Sequence, residues 1–252
     1  MDYYEKALKL HSENKGKLEV MCKVPLETKE DLSVAYTPGV AQPCKEIERN
    51  EENVYEYTTK GNTVAVITDG SAVLGLGNIG DKAAIPVMEG KAALFKRFAG
   101  IDAVPICVRT QESEEFINIV SNISATFGGI NLEDISAPRC FVIEKRLQEK
   151  LDIPVFHDDQ HGTAIVVTAA VINALKIVKK ELGNVKIAVS GAGAAGSAIV
   201  RMLLNAGARN VVVSDIKGIL NKEDETLSEA NMKLAEIRQT AWRGEVCRRQ
   251  GV

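Results

Sequence analysis

The chain has 252 residues, 45% of them hydrophobic and 26% charged, which suits a folded soluble protein of one large domain or two smaller ones. Its formal net charge of -3 gives no electrostatic reason to expect nucleic acid or an anionic membrane as a partner. Its apolar runs are interrupted too often for a membrane-spanning helix of about 20 residues.

Five cysteines (Cys22, Cys44, Cys107, Cys140 and Cys247) stand apart with no C-x-x-C pair, and the N-terminus is polar and charged. Free thiols in a reducing cytoplasm are expected, with no zinc ribbon and no signal peptide.

Residues 2–15 place Tyr4, Ala7, Leu8 and Leu10 on or near one face of an amphipathic helix. A charged connector over 23–31 leads to Tyr36 and then to a turn at Pro38-Gly39. Tyr36 is either a core anchor or a phenol presented to a site. Residues 62–68 read as a buried strand running into a loop that holds Gly75, Gly77 and Gly80. These three fit G-x-G-x-x-G, but Pro86 follows soon after and no helix clearly opens at Gly80. A tight glycine-rich loop near a ligand therefore stands beside a dinucleotide site as a reading.

A helix is predicted over 86–100. In it Lys91 has Met88, Leu94 and Phe95 at three- and four-residue spacing. It projects from a mostly apolar face, either as a snorkelling side chain or as a desolvated base. A strand at 103–108, a helix at 112–126, a strand at 128–135 closing on Glu133-Asp134, a charged helix at 139–151 and a strand at 153–156 follow. This alternation argues for an α/β fold with a parallel sheet.

The strand at 153–156 ends in His157-Asp-Asp-Gln-His161 and Gly162. That reads as a strand with its polar load at the carboxyl end, then a turn, then a long helix over 162–180. Ligands in open α/β sheets bind outside strand carboxyl ends. Asp158 and Asp159 side by side are costly, and a cation would offset the cost. Glu133 and Asp134 could complete an oxygen-rich site.

A strand over 185–190 runs directly into Gly191-Ala-Gly-Ala-Ala-Gly196, a helix over 197–205 and a strand over 210–215 ending in Asp215. This second G-x-G-x-x-G has every neighbour the dinucleotide fingerprint requires. Gly191 permits the tight turn, Gly193 lets backbone approach a pyrophosphate, and Gly196 allows close helix–strand packing. Ala194 and Ala195 of the turn are expected to contact the cofactor with the three glycines, and the N-terminus of the following helix faces the phosphates. Asp215 suits a ribose 2′-hydroxyl, hence NAD, while Lys217 keeps NADP open.

Several stretches together resemble the malic enzymes in their short bacterial and archaeal form. They are Tyr36-Thr-Pro-Gly-Val-Ala41, the segment from Thr68 to Gly80, Glu89-Gly-Lys-Ala92, Leu132-Glu-Asp134 and His157-Asp-Asp-Gln-His-Gly-Thr-Ala164. The resemblance runs from the N-terminus to about residue 235. It implies oxidative decarboxylation of malate to pyruvate and CO2, with NAD or NADP and with Mg2+ or Mn2+. By it Glu133, Asp134 and Asp159 are expected as metal ligands. Lys91 is the expected general base and Asp158 its acidic partner. Tyr36 is the expected general acid that protonates C3 after CO2 leaves. A cytoplasmic homodimer is also implied, with the N-terminal helix and the segment around Tyr36 at its interface.

The resemblance further implies a substrate and metal domain over 1–162 and an incomplete Rossmann-type nucleotide domain over 163–252. Two departures stand out. Longer malic enzymes hold a substrate carboxylate with an arginine where this chain has Ser71-Ala72-Val73. From about residue 238 the composition shifts, with the only tryptophan and four arginines, while the family continues well past residue 252. A truncated, catalytically inactive chain that binds only metal, substrate or a partner chain is therefore the alternative reading. An incomplete sheet also predicts a chain that is unstable or aggregates as a monomer.

Overall fold

The computed structural model describes residues 2–216, 218–221, 223–224, 227, 232 and 234–235. Lys217, Cys247 and the divergent stretch from residue 238 lie outside the described residues. The chain divides into two compact units, one of residues 1–132 and 147–155, the other of residues 133–146 and 156–252.

The first unit opens with α1 (Tyr3–Asn14), capped by Asp2, whose side chain accepts from the Tyr4 amide. α2 (Lys29–Ala35) begins inside the segment expected to be a connector. A reciprocal capping box between Thr28 and Asp31 starts it, a signal carried by two polar residues rather than by an apolar period. α3 (Ala41–Arg49) and the short α4 (Val54–Tyr57) follow. None of these helices has a buried residue.

The buried centre of this unit is β1 (Thr63–Thr68), flanked in parallel by β2 (Asp102–Cys107) and β3 (Gly129–Leu132). The strand order is β2-β1-β3-β4, with β4 at Val155–His157. The Ile130 amide donates to Pro154 O at 2.9 Å. β1 is buried along nearly its whole length, so both of its faces are apolar. Ala65, Val66 and Ile67 are fully buried, as are Met88 of α5 (Gly80–Ala99) and Phe116 of α6 (Ser113–Ile123). Burying a side chain such as Phe116 contributes about 1.5–3 kcal/mol.

α5 corrects the sequence reading at Gly80. The helix opens there and carries Pro86 within it. A proline that far into a helix removes one i→i−4 hydrogen bond, and burial of Ala84, Met88 and Ala92 along one stripe offsets the loss. The preceding loop keeps its glycine character. Gly70 has φ 67 and a Cβ there would lie 2.2 Å from Gly80 O, so no larger residue fits that contact.

α7 (Arg139–Lys150) and β4 each cross from one unit to the other. The second unit then holds α8 (Asp158–Ile177), β5 (Lys186–Ser190), α9 (Ala194–Asn205) and β6 (Asn210–Asp215). β5 and β6 pair in parallel. β7 (Gly218–Ile219) adds to β6 antiparallel, which the expected parallel sheet did not include. α8 packs on α9. Val200, Leu203, Val211, Val213 and Leu220 form the core here.

The long helix starts four residues before its predicted position, taking in the acidic pair expected at the strand's carboxyl end. Asp158 and Asp159 occupy its first turn, where the helix dipole favours negative charge. Among the described residues, no helix is long and apolar enough to cross a membrane. Among the described residues, Cys22, Cys44, Cys107 and Cys140 are free thiols.

Candidate functional site

β3 ends at Leu132, so Glu133 and Asp134 fall at the strand's carboxyl end. Asp134 takes the left-handed backbone region at φ 55, which aspartate tolerates better than most residues. Both acids are nearly buried, at 5% and 4% exposure. The Asp134 amide donates to Asp159 Oδ2 at 3.0 Å. Glu133, Asp134 and Asp159 each offer one carboxylate oxygen within 4.8 Å of the others. Three like charges so close, two of them buried, repel strongly and lose hydration. An all-oxygen donor set of this charge fits a hard divalent cation such as Mg2+ or Mn2+.

β4 delivers His157, the residue before α8, whose side chain makes no capping hydrogen bond. Burial pushes the His157 imidazole down to about 4, against the opposing pull of Glu144. Its Nε2 lies 3.8 Å from Asp159 Oδ2. With the ring neutral at pH 7, that approach is not an ion pair.

Glu144 on α7 is a participant that the sequence reading passed over. It is buried and receives the His157 amide at 3.0 Å, Gln160 Nε2 at 3.2 Å and His161 Nε2 at 2.9 and 3.0 Å to its two oxygens. A carboxylate only accepts, so this geometry selects the His161 tautomer protonated at Nε2. A signal was available: Cys140, Ile143 and Leu147, all fully buried, flank Glu144 at helical spacing. Its position therefore belongs to the buried stripe of a helix read simply as charged.

Asp158 is half-buried, with Oδ1 2.2 Å from where a Cβ on Gly162 would stand. A side chain there would displace the Asp158 carboxylate.

In the first unit, Lys91 is half-buried at the border of the Ala84–Met88–Ala92 stripe. Leu94, expected beside it on an apolar face, is exposed. The buried stripe runs at four-residue spacing and bypasses position 94. Tyr36 is 70% exposed at the end of α2, so it is no core anchor.

The second glycine motif has the strand, turn and helix order its spacing predicts, with the helix opening three residues earlier than the predicted 197. β5 ends at Ser190, Gly191 turns at φ 100 with its amide donating to Ser214 O at 2.8 Å, and α9 opens at Ala194. A Cβ on Gly196 would lie 1.9 Å from Gly191 O, so the turn and helix require glycine there. Gly193 differs. Its φ of -73 is ordinary and a Cβ would meet nothing within 4 Å. The protein's own packing gives no reason for glycine at 193, which leaves the backbone there open to close approach. The amides of Ala194 and Ala195, at the first positions of α9, are donors that a helix leaves without intrahelical partners. Asp215 closes β6, its Oδ1 accepting from the Ile216 amide.

Two family descriptions match this chain: Malic enzyme, N-terminal domain, over residues 15–114 and 109–148, and Malic enzyme, NAD binding domain, over residues 160–246. The chain belongs to the malic enzyme family. It is 56% identical over 220 residues to the bifunctional malic/malolactic enzyme of Bacillus subtilis, covering 87% of this chain and 54% of that one. It is 58% identical over 209 residues to the NAD-dependent malic enzyme of Geobacillus stearothermophilus, covering 83% of this chain and 44% of that one. The crystal structure of the NAD-dependent malic enzyme of Thermotoga maritima superposes with a TM-score of 0.90 at 53% identity, over 94% of this chain and 63% of that one. The chain thus spans about half the length of the two malic enzymes from Bacillus and Geobacillus.

Proposed function

We propose that this chain carries out the oxidative decarboxylation of malate to pyruvate and CO2, reducing NAD, with NADP as the second candidate. The observation that carries the reading is the oxygen cluster of Glu133, Asp134 and Asp159, on a chain that also holds a complete β5–glycine turn–α9 fingerprint. Those three carboxylates would hold Mg2+ or Mn2+. The bound cation supplies Lewis-acid polarisation of the substrate oxygens.

The remaining roles belong to the chain's own groups. Lys91 would take the proton of the malate 2-hydroxyl, and a bound nicotinamide would supply the hydride acceptor for C2. Asp158 is the acidic partner of that lysine. Tyr36 returns a proton to C3 once CO2 has departed. Gly191, Gly193, Ala194, Ala195 and Gly196 cradle the pyrophosphate, and Asp215 receives the ribose 2′-hydroxyl. The reading assigns residues 1–162 to a substrate and metal domain and residues 163–252 to a nucleotide domain. It also takes the working form as a homodimer in the cytoplasm. Exposed Tyr3, Tyr4, Leu8, Val34 and Tyr36 support a partner surface, and the free thiols support a reducing compartment.

The test is NADH formation, followed by absorbance, from the purified chain with malate, NAD and Mn2+, beside an Asp159→Ala control. Turnover that vanishes in the control supports the reading. A folded chain that binds Mn2+ and malate without turnover would limit the reading to metal and substrate binding.

A further inference from the structure

Glu144 lies outside the three carboxylates that the proposed metal site uses, and it is costly where it stands. A carboxylate with 6% exposure, set among Cys140, Ile143 and Leu147, loses most of its hydration. It persists only if donors replace the water. Three donors do so, and all come from one five-residue stretch: the His157 amide, Gln160 Nε2 and His161 Nε2. That stretch contains Asp158 and Asp159.

The arrangement is a capping box supplied from another helix. In an ordinary box, the residue at the third helical position reaches back to the amide of the cap residue. Here the cap residue is His157, the third position is Gln160, and neither side chain bonds the other's backbone in that way. Glu144 binds both instead. Its contacts bracket Asp159, one on the residue two before it and two on the residues directly after it. On the other side, the Asp134 amide holds Asp159 Oδ2. Glu144 thereby holds the stretch around Asp159, and the Asp134 amide holds its carboxylate.

We propose that Glu144 is a positioning residue, whose carboxylate gathers the His157 amide, Gln160 and His161 and so fixes the strand-to-helix junction that presents Asp159 to the divalent cation. The inference rests on the reading of Glu133, Asp134 and Asp159 as cation ligands. Groups that orient metal ligands typically change affinity by about 10–100-fold when removed. The same stretch carries the acidic partner proposed for Lys91, so the junction sets two functional carboxylates at once.

The experiment titrates Mn2+ into the full-length wild-type, Glu144→Ala, Glu144→Gln and Asp159→Ala chains by electron paramagnetic resonance of the unbound ion. Each chain is also melted without metal. Glutamine keeps one acceptor oxygen and its length, so a graded response is expected. The Mn2+ dissociation constant should rise about 10–100-fold in Glu144→Ala and by less in Glu144→Gln. The metal-free Tm of Glu144→Gln should stay near that of wild type. Unchanged Mn2+ affinity in both Glu144 variants, with affinity lost in Asp159→Ala, would overturn the proposal and leave the metal reading standing. Mn2+ binding that survives Asp159→Ala would instead bring down the metal reading itself. A metal-free Tm that collapses in both Glu144 variants would make Glu144 a residue of the fold alone and would also overturn the proposal.

Discussion

The Asp134 amide and the Asp159 carboxylate are joined by a 3.0 Å hydrogen bond across 25 positions of sequence, and Asp134 makes it from a left-handed backbone at φ 55. That conformation turns an amide, rather than a side chain, onto the neighbouring acid. Substitutions at 134 therefore separate charge from backbone. Asp134→Asn keeps a residue that tolerates this region, so unfolding free energy should hold within about 1 kcal/mol while Mn2+ affinity drops. Asp134→Val places a β-branched residue at positive φ and should cost a further ~1–3 kcal/mol. Urea melts paired with Mn2+ titration check both. Equal stability of the two variants would refute the backbone argument.

The glycines of the nucleotide turn should respond differently from one another. Gly196→Ala drives a Cβ onto Gly191 O, so we expect a lower Tm and loss of NADH binding together. Gly193→Ala meets no protein atom, so we expect an unchanged Tm with NADH binding, followed by fluorescence, strongly weakened. If Gly193→Ala binds NADH as wild type does, position 193 does not face the pyrophosphate.

Tyr36 and Lys91 should be essential for turnover without being needed for the cation. Lys91→Ala and Tyr36→Phe are each expected to slow NADH formation by about 10²–10⁴-fold and to leave Mn2+ affinity intact. Because Tyr36 is exposed on its own chain, a site shared between subunits is testable by mixing the two variants. Recovery of activity in verified mixed dimers is the expected result, and its absence would count against sharing.

Alkaline pH should weaken the fold through two thiols, the half-buried Cys107 and the buried Cys140. Burial pushes Cys107 up from 9.0 to about 11, helped by Asp81, and pushes Cys140 up to about 12. Between pH 9 and those values the unfolded chain sheds the thiol protons and the folded chain keeps them. The folded state then binds more protons, so stability falls as pH rises through that window. A Cys107→Ala, Cys140→Ala double variant should show a shallower decline in urea melts across about pH 8–10.5. At about pH 8, thiol reagents should label Cys22 and Cys44 quickly and the two raised thiols slowly. Labelling of all four at one rate would contradict the burial argument.

Elements with their own hydrophobic period were legible before any coordinates. β1 falls one residue inside its predicted span, β6 coincides with its own, and α7 ends one residue early. The errors cluster where polar side chains set the boundary. α2 rests on the Thr28–Asp31 capping box. α8 begins at Asp158 because the helix dipole and the Glu144 hydrogen bonds favour it there, although the His-Asp-Asp-Gln-His run has no apolar period. α5 runs through Pro86 because its buried stripe outweighs one missing hydrogen bond. Glu144 was hidden because a charge inside a charged helix looks solvated until the helix is packed.

By itself the sequence determined the alternation of strands and helices, the glycine turn at 191–196 and the residue types able to bind a hard cation. All of these follow from spacing along a chain with fixed periods. Only the tertiary structure decided that Glu133, Asp134 and Asp159 share one small volume, that Glu144 grips the residues on both sides of Asp159, and that Leu94 faces away from the core while Lys91 sits at its edge. Those relations join residues far apart in sequence or depend on which helix face is buried, and packing of whole elements fixes both.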